Sequence, residues 1–160
     1  MYRLLILGAL LSSAFTASIL DESSGRIVGG EDTSIEAHLY QVSLWLIEEG
    51  MHFCGGSRVS EDIVVTAAHC RLGFEPSDML VRLGSTNSRS GGLLVEVTAL
   101  KYHEGFNGKT TVNDIAVLRL AQKVTQSESI RFIDLAETVP PTGTQAVVSG
   151  WVLNVPVFAY

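Results

Sequence analysis

Apolar and polar residues alternate along most of this chain in short runs. Val42, Leu44 and Leu46 alternate with Gln41, Ser43 and Trp45, and Met79, Val81 and Leu83 alternate with Leu80 and Arg82. A period of two puts each set on its own face of an extended segment, so each run predicts a half-buried strand. The same reading predicts strands near Gln41–Leu46, Met51–Val59, Ile63–Thr66, Met79–Leu83, Leu93–Tyr102 and Ile115–Leu120. Glycine, serine and asparagine separate them, most densely from Gly84 to Gly92. No long helical period, internal repeat or low-complexity tract interrupts the series. Six short strands without helices predict an all-β fold closed as an antiparallel barrel, because closure removes exposed sheet edges.

The two ends depart from this pattern. Arg3 is followed by a continuous apolar run from Leu4 to Leu11, and mostly small residues follow from Ser12 to Ser18. That order is the layout of a secretory signal peptide over residues 1–18, and the run is too short to span a bilayer. The expected product is secreted, with no membrane partner. Near the other end, Thr138-Val139-Pro140-Pro141-Thr142-Gly143 predicts an extended linker, since a double proline forbids helix and central strand. Gln145 to Trp151 predicts one further strand, and residues 152–160 form an apolar tail.

Composition narrows the function. The chain has 160 residues, 46% of them hydrophobic and 18% charged, which suits one packed domain and not a disordered tail. Its net charge is −6, unchanged by removing residues 1–26, and no Lys/Arg cluster breaks the acidic surface. Such a surface argues against nucleic acid as a partner. Export also accounts for the two cysteines. In an oxidising compartment Cys54 and Cys70 should pair, closing a loop of about 17 residues worth roughly 3 kcal/mol. A metal site built from the same cysteines and nearby histidines fits no common zinc spacing, so no metal is expected.

The candidate chemistry lies in Val64-Val65-Thr66-Ala67-Ala68-His69-Cys70, where a strand end delivers a histidine beside a cysteine. A rigid imidazole titrating near neutral pH suits general-base work, although a partly buried structural histidine would look the same. Three further segments bear on the choice: Arg26-Ile27-Val28-Gly29-Gly30, Phe53-Cys54-Gly55-Gly56-Ser57, and Asn113-Asp114-Ile115-Ala116-Val117-Leu118-Arg119-Leu120. Together with the histidine segment they closely resemble the trypsin/chymotrypsin-like serine endopeptidases, and the resemblance covers residues 26–151. It implies that His69 is the base, that Asp114 orients it, and that Cys54 and Cys70 close the loop carrying the histidine. Asp114 could instead be a strand-end residue accepting turn N–H bonds.

The resemblance also implies an activation bond at Arg26–Ile27, cut by a trypsin-like protease, with polypeptides as substrates. It divides the chain into a propeptide over residues 19–26, a first six-stranded barrel over 27–137, and a linker with the opening strand of a second barrel over 138–151. Residues 152–160 diverge. Some members hold calcium in the loop matching Gly84 to Val95; here that loop is poor in acids, so neither calcium nor any cofactor is expected. The segment Gly-Asp-Ser-Gly-Gly, which carries the family's nucleophile, does not occur in the 160 residues. Ser57 matches a structural strand serine, and Ser90 lies in a turn without the preceding aspartate. The expectation is a secreted serine endopeptidase by resemblance whose chain as written lacks the catalytic serine and is inactive. The competing expectation is a secreted, non-catalytic binding module that uses the half-cleft around His69.

Overall fold

The computed structural model describes residues 30–71 and 73–151. The expected signal peptide, propeptide and Arg26–Ile27 bond, and the tail at 152–160, lie outside the described residues. Six strands form: β1 (Gln41–Leu46), β2 (Met51–Arg58), β3 (Ile63–Thr66), β4 (Met79–Leu83), β5 (Leu93–Tyr102) and β6 (Ala116–Leu120). Four match the expected bounds; β2 stops one residue early and β6 begins one residue late, where turn geometry and not side-chain pattern decides. All neighbours are antiparallel, and the order β1-β2-β3-β6-β5-β4 closes on itself as a barrel. Short 3-10 turns at Ile35–Ala37, Ala68–Arg71 and Pro76–Asp78 are the only helical pieces among the described residues. No helix there is long and apolar enough to cross a membrane.

The barrel is filled by the alternating apolar set: Val42, Leu44, Val64, Met79, Val81, Leu83, Val95, Val97, Leu118 and Leu120, joined in the same buried cluster by Val124 and Ile130 from beyond β6. Gly56 marks the tightest approach. A Cβ there would stand 2.8 Å from Val64 Cγ1 and 2.9 Å from the Val65 carbonyl. Only glycine lets β2 lie this close to β3.

Alternation predicted one wet face for β1, and the structure corrects this. Gln41 and Ser43 are buried along with Val42 and Leu44. The outer face of the barrel is covered here by two segments that the local pattern does not announce. One is the turn from Gly84 to Gly92, whose carbonyls converge on Arg82. Arg82 Nε donates to Ser88 O at 3.1 Å and its two terminal nitrogens donate to the carbonyls of Gly91 and Arg89, while Trp45 lies 4.8 Å from the guanidinium. Arg82, outward by alternation, is therefore buried.

The other segment is the chain's last described stretch. Ser149 Oγ donates to Gln41 Oε1 (2.7 Å), Trp151 Nε1 donates to Thr86 O (2.6 Å), and the Trp151 ring meets His52 edge-on at 5.5 Å. The strand expected at Gln145–Trp151 pairs with no other strand among the described residues. A ladder requires a second chain segment alongside, and here the contacts are single side-chain bonds.

Candidate active site

β3 and β6 are neighbours, with Thr66 opposite Ala116. In an antiparallel pair, the end where one strand leaves is the end where the other enters. His69, three residues past Thr66, and Asp114, two before Ala116, therefore emerge at the same corner of the barrel despite lying 45 residues apart in sequence. The 3-10 turn Ala68–Arg71 buries Ala68 and turns His69 outward, its side chain 53% exposed against 23% for Asp114.

Asp114 holds His69 at two points. Oδ1 accepts the His69 backbone N–H at 2.8 Å, and Oδ2 lies 2.7 Å from Nδ1. A carboxylate this close to Nδ1 places the ring proton on that nitrogen and leaves the Nε2 lone pair outward. The hydrogen bond from the His69 ring, and after it the one from the His69 backbone, hold the Asp114 carboxyl below its usual range. Nε2 lies 3.6 Å from Cys70 Sγ, a disulfide sulfur with no proton to donate to it.

Cys54, on β2, and Cys70, on the turn, are joined by a disulfide with Cα atoms 6.1 Å apart. It anchors the base of the histidine turn to the sheet. Phe53, next to Cys54, packs its ring 5.7 Å from that of Phe74 just beyond the turn. The sulfurs of Cys54 and Cys70 and a ring nitrogen of His69 lie within 4.8 Å of one another. Bonded to each other, the two sulfurs offer no thiolate to a metal.

Several supporting residues were not singled out by sequence. Asn113 sits at φ +58° and sends its side-chain NH2 to Gly105 O at 2.9 Å, while Ile115 N–H returns to Asn113 O at 2.9 Å. This tight turn presents the Asp114 carboxylate to His69. Asparagine is among the few residues that enter the left-handed region readily, and that was the available signal. Thr111 also lies at φ +54°, and nothing in a lone threonine announces it. On the far side of Cys54, His52 Nδ1 meets Ser43 Oγ at 2.7 Å, and burial, with Arg89 second, pushes its imidazole below the ordinary histidine value. Ser57 lies in β2 opposite Gln41 and Val65, as a strand residue.

Comparison with known proteins agrees with this architecture. The family model described as Trypsin matches residues 27–154. A trypsin of Sarcophaga bullata is 52% identical over 151 residues, covering 94% of this chain and 59% of its own length. Trypsin theta of Drosophila melanogaster is 56% identical over 130 residues, 81% of this chain and 49% of its own. Among solved structures, a scabies mite inactivated protease paralogue, S-D1, superposes with a TM-score of 0.66 at 26% identity, covering 74% of this chain and 51% of that one. The chain thus spans about half the length of the relatives it matches. A closed six-stranded barrel that brings a histidine and an aspartate to one corner, within a sequence matched by the Trypsin model over most of its length, places this chain in the trypsin-like serine protease family.

Proposed function

We propose that this chain carries the base half of the active site of a secreted trypsin-like serine endopeptidase, with His69 as general base and Asp114 as its orienting carboxylate. The observation that carries the reading is the double hold of Asp114 on His69, through the backbone N–H and Nδ1. In such a site a serine hydroxyl donates to Nε2, loses its proton there as it attacks a peptide carbonyl, and the imidazolium that forms is stabilised by the carboxylate. The same reading takes Arg26–Ile27 as the activation bond for a trypsin-like protease and polypeptides as substrates. Residues 1–160 contain no Gly-Asp-Ser-Gly-Gly segment, so by themselves they supply neither nucleophile nor oxyanion donors and do not hydrolyse peptide bonds.

A second reading, a secreted binding module built on the same half-cleft, draws support from the S-D1 neighbour, which is described as an inactivated protease paralogue. A hybrid separates the two. Residues 27–151 are joined to the second half of the Sarcophaga bullata trypsin and assayed on arginine, lysine and aromatic peptide esters. The endopeptidase reading expects turnover that falls about 10⁴-fold in Asp114→Asn and on the order of a million-fold in His69→Ala. A folded hybrid with no turnover favours the binding module. Turnover indifferent to His69→Ala removes His69 from the mechanism.

A further inference from the structure

The corner that holds the base also holds two sulfurs, and its geometry fits a metal once the disulfide opens. Zn–S bonds of about 2.3 Å and a Zn–N bond of about 2.0–2.1 Å at the tetrahedral angle set a sulfur and a nitrogen ligand about 3.6 Å apart. His69 Nε2 and Cys70 Sγ stand at 3.6 Å. Cys54 Sγ, bonded to Cys70 Sγ in the oxidised chain, also lies within 4.8 Å of a ring nitrogen of His69. Two thiolates on a tetrahedral zinc lie about 3.8 Å apart, close to the non-bonded contact that reduced sulfurs reach on their own. We propose that the reduced chain binds one zinc-like divalent cation through Cys54, Cys70 and His69 Nε2.

Three further features belong to such a site. Asp114 Oδ2 lies 2.7 Å from His69 Nδ1, which is the carboxylate–histidine–metal arrangement that fixes the orientation of a ligating ring. Cys70 is buried, Cys54 half-buried and His69 exposed, so two ligands are held by the core while a fourth position faces solvent for water. The chain has no other cysteine, so no competing thiol captures the ion. The chemistry balances with a dithiol or phosphine reductant: two electrons break the Cys54–Cys70 bond, each sulfur takes a proton, and the reductant is oxidised. The cation then displaces both thiol protons. Metal on Nε2 occupies the lone pair that a base needs, so the reduced, loaded chain holds its base closed until the metal leaves and the disulfide forms.

This goes beyond the proteolytic reading and is tested without it. The 160-residue chain, reduced with a phosphine, is titrated with Co²⁺ and then Zn²⁺. One equivalent of Co²⁺ should give thiolate-to-metal absorption that Zn²⁺ abolishes, and the oxidised chain should give none. Asp114→Asn should weaken binding by about 10–100-fold, as outer-shell partners do, and His69→Ala by at least as much. If the reduced chain unfolds without metal, one equivalent of Zn²⁺ should restore the near-UV signal of Trp45 and Trp151. Absence of thiolate absorption, an unchanged affinity in His69→Ala, or failure of Zn²⁺ to restore that signal in an unfolded reduced chain would each overturn the proposal.

Discussion

Arg58 is the largest fully buried side chain among the described residues, and it has no carboxylate partner. Its Nε donates to Ser60 O at 2.8 Å, and Nη2 donates to Glu61 O at 3.3 Å and to Val124 O. Nη1 has no acceptor. Phe132 lies 5.8 Å from the guanidinium, and the Glu61 carboxylate is taken by Lys123 at 2.8 Å. Burial pushes the guanidinium's pKa down, with Glu61 opposing. Taking an ion out of water costs several kcal/mol in a real protein. Hydrogen bonds to a charged group return about 1.5–3 kcal/mol each, and an orphaned buried donor adds about 1–3 kcal/mol of penalty. Those contributions nearly cancel, so the charge itself should add little net stability.

Arg58→Met keeps an apolar stem of similar length and removes both the charge and the orphaned donor, leaving the Ser60, Glu61 and Val124 carbonyls without the guanidinium as donor. The expected change lies between zero and about 2 kcal/mol of added stability, at the low end of what replacing buried ionic groups yields. Arg58→Lys should lose about 2 kcal/mol, because an ammonium stays charged but cannot reach three carbonyls from one plane. Urea unfolding followed by tryptophan fluorescence gives both values, provided the m-value is unchanged. If Arg58→Met loses more than about 1 kcal/mol at constant m, the guanidinium is a net stabiliser and this balance is wrong.

Two other outcomes follow from the site's surroundings. Because burial depresses His52 in the folded state, the unfolded chain binds its proton first as pH falls; stability is present above the ordinary histidine value of about 6.5 and declines as pH drops from there through the folded value. His52→Gln should flatten that decline between roughly pH 7 and pH 5, and an unchanged slope would assign it to another group. Thr111, a β-branched residue at φ +54° in the turn leading to Asp114, should be relieved by Thr111→Asn or Thr111→Gly, raising stability by about 1 kcal/mol in the same urea assay; a loss would show that its hydroxyl bond to Thr110 O outweighs the backbone strain.

Much of the barrel was legible in the chain itself, because a strand's inward face is a local property. Val42, Leu44, Leu46, Met79, Val81 and Leu83 declare their face by period two, and turn residues declare where each strand stops. His69 and Asp114 were legible as motifs. What their segments could not state is which neighbour each strand takes, and only the β3–β6 pairing puts the two side chains 2.7 Å apart. The outer face of β1 was illegible for the same reason: Ser43 and Arg82 read as solvent-facing until the Gly84–Gly92 turn and the Ser149–Trp151 stretch fold over them. The strand expected at Gln145–Trp151 has the composition of a strand but no partner beside it. Alternation reports which side chains avoid water; hydrogen-bond partners and the covering of a face are set by segments distant in sequence, and those only the folded chain brings together.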